Sequence, residues 1–210
     1  MYLPPHFHEP RLDELHRLVE SHPLGALVTL GPDGLDANHL PFELDPHAGD
    51  HGRLLAHVAR ANPVWQEAAS GAQALVIFRG PDAYISPNSY PSKHEAHRQV
   101  PTWNYQVVHV HGRLHVRDDE KFVRGLVGRL TRTHERRAGE PRPWTMADSD
   151  PAFIDGMLAA IVGLEIEITR IVGKWKLGQN KDARDRLGAI DALRRRGHAD
   201  VADAMRATLA

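Results

Sequence analysis

Apolar residues alternate with polar ones along much of the chain, and a period of two is typical of β-strands that bury one face. The longest such run predicts a strand over residues 105–116. Its apolar positions are Val108, Val110, Leu114 and Val116. Its opposite face carries His109, His111, Arg113 and His115. The same pattern, bounded by turn residues, predicts further strands over residues 25–30, 40–44, 54–59, 73–78, 83–86 and 164–168.

Helical spacing of apolar residues occurs near both ends of the chain and before its last strand. A first helix is predicted after Pro10, because apolar residues recur there every three to four positions up to Val19. A longer helix is predicted from Asp118 to Arg137, and a short one from Pro151. Two more helices follow residue 182, and residues 87–99 are predicted to form a polar loop.

About seven strands with short turns, and helices that do not alternate regularly with them, predict an α+β fold with an antiparallel barrel core. A doubly wound parallel sheet does not fit this order of elements. We expect residues 1–181 to form the barrel domain. Residues 182–210 are expected to form a C-terminal pair of helices, separated at Gly197, that packs on it.

Composition excludes several classes of protein. The chain has 210 residues and no Cys, so it has no disulfide framework, thiolate zinc site, iron–sulfur cluster or catalytic Cys. It carries 26 Lys and Arg against 27 Asp and Glu, which excludes a uniformly basic nucleic-acid binder but not a local basic patch. There is no long apolar run and no secretory signal at the N-terminus, so we expect a cytoplasmic protein without membrane association.

Histidines and arginines offer two further hypotheses. His109, His111 and His115 share a strand face and could hold a metal ion, although a solvated polar face or an interface stripe is the favoured interpretation. Two basic clusters could contact DNA, and the pair of helices around Gly197 has the outline of a helix-turn-helix. The clusters are Arg129, Arg132, Arg136 and Arg137, and Arg194, Arg195 and Arg196. Both clusters also fit ordinary solvated helix ends.

Four segments at strand ends combine polar and aromatic residues in the way that ligand sites do. They are DANHLPF (36–42), HVARANPVW (57–65), VPTWNY (100–105) and GKWKLGQNK (173–181). No phosphate-binding loop of the Rossmann or P-loop kind is present. These residue types suit flavin mononucleotide (FMN), whose phosphate needs cationic and backbone N–H donors and whose ring needs amide and apolar contacts.

The four segments resemble the signature stretches of the PaiB-type proteins, which are FMN-binding negative transcriptional regulators. The opening residues 1–7, and residues 80–87 followed by Tyr90, resemble that family as well. The resemblance implies an FMN-binding split β-barrel, related to pyridoxamine-phosphate oxidases and flavin reductases. It also implies a homodimer with FMN in the groove between subunits. The implied function is transcriptional repression; the alternative is an FMN-dependent oxidoreductase.

The resemblance also implies which residues hold the cofactor. The flavin ring would lie along Asn38, His39, Leu40 and Pro41. The phosphate end would be approached by His57, Arg60 and Asn62. The pocket would be closed, including from the partner subunit, by Trp103, Asn104, Lys176, Gln179 and Asn180. One position departs from the family pattern, because Gly178 stands where related sequences have Ser.

Overall fold

A computed structural model describes residues 1–68 and 71–209 of the chain. Its residues group into two compact units, each made of separate stretches of sequence. The central unit comprises Val19–Phe78 and His109–Ile171. The terminal unit comprises Met1–Leu18, Arg79–Val108 and the described residues from Val172 onward. These compact units do not test the domain boundary predicted between residues 181 and 182, which stays a prediction.

Eight strands in the described residues form one open sheet. They are β1 (His8–Glu9), β2 (Leu24–Gly31), β3 (Gly34–Pro41), β4 (Glu43–Asp45), β5 (Arg53–Ala59), β6 (Ala72–Ile85), β7 (Thr102–Arg117) and β8 (Ile161–Lys176). Their order is β3-β2-β6-β7-β8-β5-β4, with β1 paired to β8. The pairs β2–β3, β2–β6, β4–β5, β5–β8 and β1–β8 are antiparallel. The antiparallel α+β fold is therefore confirmed.

Seven α-helices lie in the same part of the chain. They are α1 (Leu12–Ser21), α2 (Val64–Glu67), α3 (Pro91–Ala96), α4 (Glu120–Ala138), α5 (Pro151–Ala159), α6 (Ala183–Arg195) and α7 (Ala199–Ala207). Short 3-10 helices occur at Pro5–Phe7, Pro87–Ser89 and Met146–Asp148. Among the helices described, none is both long and apolar enough to cross a membrane.

Three local predictions were wrong. Residues 40–44, predicted as one strand, contain the end of β3 and the start of β4, with Phe42 outside both strands. Residues 73–78 and 83–86, predicted as separate strands, belong to the single strand β6, which continues through Gly80 and Pro81. The fixed φ of proline is compatible with extended backbone, so a Gly-Pro pair does not have to end a strand. Residues 91–96, predicted as loop, form α3. Its first turn is held by Asp185 of α6, which accepts hydrogen bonds from Ser92 N at 3.0 Å and from Ser92 Oγ at 2.5 Å.

Helix α4 covers part of the sheet in the central unit. Its N-cap is Asp119, whose carboxylate accepts a hydrogen bond from Phe122 N at 2.8 Å. Leu126 and Leu130 of α4 pack against Leu55 of β5. A second cluster joins α4 to α5 and consists of Val123, Ile154 and Leu158, with Phe122 packed against both clusters. These apolar contacts fix the orientation of α4 on the sheet.

Gly112 interrupts the apolar face of β7. A Cβ atom at this position would lie 2.3 Å from the carbonyl oxygen of Glu167 and 2.6 Å from Ile166 Cγ2. Real Cβ atoms do not approach other atoms so closely. Strands β7 and β8 therefore pass at a distance that only glycine permits.

In the terminal unit, α6 and α7 pack together as the predicted pair of C-terminal helices. Their contact buries Ile190, Leu193, Val201 and Met205. Gly197 separates them with a φ of 82°, a conformation that favours glycine. The side chain of Asp182 caps α6 by accepting a hydrogen bond from Asp185 N at 2.8 Å.

Candidate functional site

Two of the predicted site segments meet in the central unit. Asn62 Nδ2 donates a hydrogen bond to Asn38 Oδ1 at 2.7 Å, which ties the residues after β5 to β3. Asn62 Oδ1 accepts from Val64 N at 3.0 Å and so orders the start of α2. Asn38 Nδ2 donates to Asp36 Oδ2 at 3.1 Å. The sequence placed Asn38 and Asn62 in one site, and the structure brings their side chains into direct contact.

The other predicted residues of β3 lie on an edge strand. His39 is opposite Ala26 of β2, and its side chain is exposed. Leu40 is buried, and Pro41 is exposed at the end of the strand. An exposed edge leaves backbone N–H and C=O groups available to a ligand. That the flavin ring lies along this strand stays a prediction.

His57 carries a buried polar atom without a partner. It lies on β5 opposite Gly163 of β8. Its Nδ1 is buried and forms no hydrogen bond to any part of the chain that the structure describes. Burial lowers the pKa of His57, so its ring is neutral at pH 7. Buried polar atoms without partners are rare and cost free energy, so a ligand that bonds Nδ1 would stabilise this site.

Arg60 is already bound to other groups of the protein. Its Nη1 donates to Asp118 Oδ2 at 2.9 Å, and its Nη2 donates to Asp118 Oδ1 at 2.6 Å. It also donates to the carbonyl oxygens of Ala159 at 2.8 Å and Ile161 at 3.2 Å. A cavity of about 280 Å³ beside it contains the carboxylates of Asp118, Asp119, Glu120 and Asp155. A phosphate bound by Arg60 would therefore have to replace Asp118 and needs a further cation nearby.

Lys176 of the terminal unit has no carboxylate partner among the described residues. Its Nζ donates to Trp103 O at 2.5 Å and to Thr102 Oγ1, both of which are neutral groups. Burial, together with the nearby charges of Lys174 and Lys181, lowers the pKa of Lys176. An anion placed beside Lys176 would therefore be attracted by an ammonium group that no carboxylate of the described chain neutralises.

Two cations near Lys176, Lys174 and Lys181, were not among the predicted site residues, and neither was Arg186 of the same unit. Lys174 is buried and donates to Tyr2 O at 3.1 Å, and Lys181 donates to Gln99 Oε1 at 2.5 Å. Arg186 has a buried Nε without a hydrogen bond in the described residues. The alternation of Lys174 and Lys176 along a strand is the sequence signal that could have identified this group, because it places both on one face.

The remaining predicted residues of the terminal unit have separate local partners. Trp103 is exposed and packs edge to face with Tyr84, with ring centroids 6.0 Å apart. Asn104 is buried, and its Nδ2 donates to Met205 Sδ at 3.3 Å. The side chain of Gln179 bonds to the backbone of the segment before it, accepting from Leu177 N at 2.8 Å and donating to Trp175 O at 2.7 Å. Asn180 is exposed.

Gly178 has a backbone conformation that explains the departure from the family pattern. Its φ is +84°, in the left-handed region that favours glycine. A Cβ atom there would meet Arg186, Asn104 and Met205 at 3.8 Å, which is ordinary contact. The space therefore admits a serine, but this backbone conformation disfavours one.

The histidines of β7 do not form a metal centre in the residues described. No group of three or more His, Asp and Glu side chains there is arranged to hold a metal ion. The rings of His109 and His111 are 6.5 Å apart, and His111 Nε2 lies 3.0 Å from Arg170 Nη2. His115 Nε2 lies 3.6 Å from Glu167 Oε2. Each histidine of this face thus has a different neighbour.

Comparison with known proteins identifies the family. The protease synthase and sporulation protein PAI 2 of Bacillus subtilis is 31% identical over 193 residues, which cover 92% of this chain and 89% of the relative. The model of the family described as "Putative FMN-binding domain" matches residues 1–170. The chain belongs to the PaiB-type FMN-binding family. This membership confirms the predicted family and identifies FMN as its cofactor.

Solved structures confirm the fold of this PaiB-type chain. The FAD and heme binding protein from Mycobacterium smegmatis superposes with a TM-score of 0.57 at 21% identity, over 87% of this chain and 79% of that one. The flavocytochrome Anf3 from Azotobacter vinelandii superposes with a TM-score of 0.54 at 15% identity, over 86% and 75% of the two chains. The predicted split-barrel fold is therefore confirmed.

Each unit of the PaiB-type chain, taken by itself, carries residue types that suit FMN. In the central unit, His57 Nδ1, which has no partner among the described residues, and the exposed edge of β3 offer hydrogen-bonding groups. In the terminal unit, Lys176 offers positive charge without a carboxylate partner in the described chain. These are the donor types that a phosphate and a flavin ring edge require.

Proposed function

We propose that the protein is an FMN-binding transcriptional repressor that acts as a homodimer and contacts DNA through the C-terminal half of α4. The single observation that carries the DNA contact is a set of exposed arginines on α4 that have no carboxylate partner among the residues described. The identity to the sporulation protein of Bacillus subtilis over most of both chains supports a regulatory role.

The two predicted basic clusters differ in how far their charge is neutralised. On α4, three exposed arginines have no carboxylate within 4.0 Å among the described residues. They are Arg132, Arg136 and Arg137. Arg132 and Arg136 are four residues apart, so they lie on one face of the helix. In the other cluster, Arg194 pairs with Asp203 at 2.6 Å and Arg196 donates to Tyr84 O at 3.3 Å. The α4 cluster is therefore the better candidate for binding phosphates.

Exposed apolar side chains on the β2–β3 hairpin support a dimer. Leu24, Leu30 and Leu35 are between 65% and 78% exposed. Leu30 lies directly opposite Leu35 in the hairpin register, so these two side chains are neighbours. Apolar side chains next to an open strand edge are unfavourable in water, and a second copy of the chain would cover them.

FMN would occupy the groove between the two copies. One copy would supply Asn38, His57 and Arg60, and the other copy would supply Lys176 as the additional cation that the acidic surroundings of Arg60 require. Bound FMN accepts and returns one or two electrons. The chain's own residues would bind the phosphate, orient the ring and exclude water from it.

DNA binding is tested with a duplex selected from a random pool by the wild-type protein, measured by fluorescence anisotropy over a range of salt concentrations. Each phosphate contact contributes about 0.9 to the slope of log affinity against log salt. The double variant Arg132→Gln/Arg136→Gln removes four contacts from a dimer, so we expect the slope to fall by about 3.6. Arg195→Gln, at an exposed position of α6, is the matched control and should leave the slope unchanged.

A specific repressor should prefer its selected site to random duplex by at least about 10³-fold. Selection that yields no preferred sequence, with an unchanged slope in the double variant, would contradict the proposal.

A second candidate is an FMN-dependent oxidoreductase, and the neutral, half-buried His57 favours it. A neutral histidine with a free ring nitrogen is a group that can take up or donate a proton. The same FMN-loaded preparation is therefore assayed for oxidation of NADH and NADPH. Two results together would favour the enzyme over the repressor. One is oxidation of NADH or NADPH by the wild type that His57→Gln abolishes, and the other is DNA binding that is weak and independent of sequence.

A further inference from the structure

A cleft of about 400 Å³ lies on the central unit beside α4. It is lined by Arg53, Leu55, Arg117, Asp119, Lys121, Phe122, Gly125, Arg129 and Glu165. None of these residues belongs to the predicted FMN site. Its volume is within the range of small-molecule pockets, about 300–1,000 Å³.

The lining carries more positive than negative charge. Four side chains are cationic, whereas only Asp119 and Glu165 are acidic. Glu165 is neutralised twice, because Arg117 Nη2 donates to its Oε1 at 3.0 Å and Arg53 Nη1 lies 3.5 Å from its Oε2. Asp119 is engaged as the N-cap of α4. The carboxylates of the cleft are therefore already bound, and the excess charge is positive.

Two of the cations keep donors that no group of the described chain uses. Arg129 donates from Nε to Glu43 Oε1 at 2.9 Å, and its two terminal nitrogens have no hydrogen-bond partner in the described residues. Lys121 is exposed and has no carboxylate within 4.0 Å in that same part of the chain. An anion in the cleft would therefore find free N–H donors from both residues.

The floor of the cleft is apolar. Leu55 is buried and Phe122 is half-buried beside it. Gly125 leaves the floor open, and a Cβ atom there would lie 3.6 Å from Arg129 Nη1. This distance also shows that the guanidinium of Arg129 lies over Gly125. A flat apolar group on this floor would place an attached anion within reach of Arg129.

We propose that this cleft is a second ligand site, separate from the FMN site, for a small molecule that joins a phosphate or carboxylate to a planar apolar ring. The ring packs on Leu55 and Phe122, and the anion bonds to Arg129 and Lys121. The site does not depend on the proposed DNA contact.

The test uses the full chain loaded with FMN and phenyl phosphate as the probe, measured by isothermal titration calorimetry. We expect one saturable site per chain. Arg129→Gln and Lys121→Gln should each weaken phenyl phosphate at least tenfold, because each removes a charge-assisted hydrogen bond. Gly125→Leu should abolish binding because its side chain fills the floor.

A matched control separates the site from general effects. Arg113→Gln removes one exposed cation outside the cleft. This variant should bind phenyl phosphate within twofold of wild type. Lys121→Gln keeps the proposal falsifiable if Arg129→Gln fails to fold, because Lys121 has no structural partner in the described chain.

Three results would overturn the proposal. One is the absence of saturable binding, and another is equal affinity in Gly125→Leu and wild type. The third is displacement of phenyl phosphate by added FMN in the apoprotein, which would assign the cleft to the cofactor. Inorganic phosphate is titrated in parallel, and binding as tight as that of phenyl phosphate would show that the apolar floor contributes nothing.

Discussion

The guanidinium of Arg60 and the carboxylate of Asp118 form a two-pronged salt bridge, with N···O distances of 2.6 Å and 2.9 Å. This pair joins the residue after β5 to the residue after β7. It holds the one arginine that the sequence assigns to the phosphate of FMN. In the proposed site, binding of the phosphate and the internal salt bridge would therefore compete for the same side chain.

Competition predicts opposite effects for the two partners. We expect Arg60→Ala to weaken FMN by about tenfold or more, since a charge-assisted contact contributes about 1.5–3 kcal/mol. Asp118→Asn should instead tighten FMN, because it releases the guanidinium and removes one negative charge. The measurement is a titration of apoprotein followed by flavin fluorescence. If neither variant changes the FMN affinity, Arg60 is a structural residue only.

The lowered pKa of His57 predicts that the folded chain loses stability in acid. Burial lowers the pKa of His57 in the folded chain, so the unfolded chain binds the proton more readily. The free energy of unfolding should therefore fall as pH drops below the ordinary histidine pKa. His57→Gln does not titrate and should show a shallower loss between about pH 7.5 and 5.5 in urea unfolding. His94→Gln, at an exposed position, is the control. The prediction is contradicted if the free energy of unfolding falls with pH as steeply in His57→Gln as in His94→Gln.

The lowered pKa of Lys176 predicts that the affinity for FMN depends on pH. Its pKa is lowered by burial and by Lys174 and Lys181, so it loses its charge at a lower pH than an ordinary lysine. FMN affinity should fall as pH rises through that lowered pKa. Lys176→Gln should weaken FMN by about 10- to 100-fold at neutral pH, and Lys176→Arg should retain most of the affinity. Lys93→Gln, whose Nζ bonds Asn88 Oδ1, is the control. Unchanged affinity in Lys176→Gln would exclude this segment from the cofactor site.

Gly178→Ser tests the departure from the family pattern. The left-handed backbone should cost a serine about 1–2 kcal/mol, although its Cβ has room. Urea unfolding should show this loss. Gly156→Ser, in the middle of α5 with no atom within 4 Å of the added Cβ, should be neutral or stabilising. Equal stability of Gly178→Ser and wild type would show that the chain relaxes this turn without cost.

The sequence predicted those elements whose period and boundaries are local. Alternation along β7 placed His109 and its neighbours on one face correctly, and Asp119 caps the helix expected to begin at Asp118. Helix α3 was missed because its first turn depends on Asp185, 93 residues from Ser92, and no local pattern encodes that contact. The continuation of β6 was missed because a Gly-Pro pair usually marks a turn, whereas this strand continues through Gly80 and Pro81.

In the candidate site, residue types could be predicted but their partners could not. Asn38 and Asn62 were assigned to one site and are hydrogen-bonded. Two features depend on tertiary packing: Asp118 engages Arg60, and Lys176 has no carboxylate partner in the part of the chain that the structure describes. A sequence shows where a charge is, whereas only the folded chain shows whether another charge already neutralises it.

The close approach of the strands at Gly112 limits which substitutions this protein can accept. No amino acid with a side chain fits where β7 passes the backbone of Glu167, so a single codon change there must displace a neighbouring strand. Random libraries screened for folded protein should contain almost only glycine at this position, while the adjacent exposed Arg113 varies freely. Position 112 is therefore expected to remain glycine, while the residues of nearby binding surfaces can be substituted.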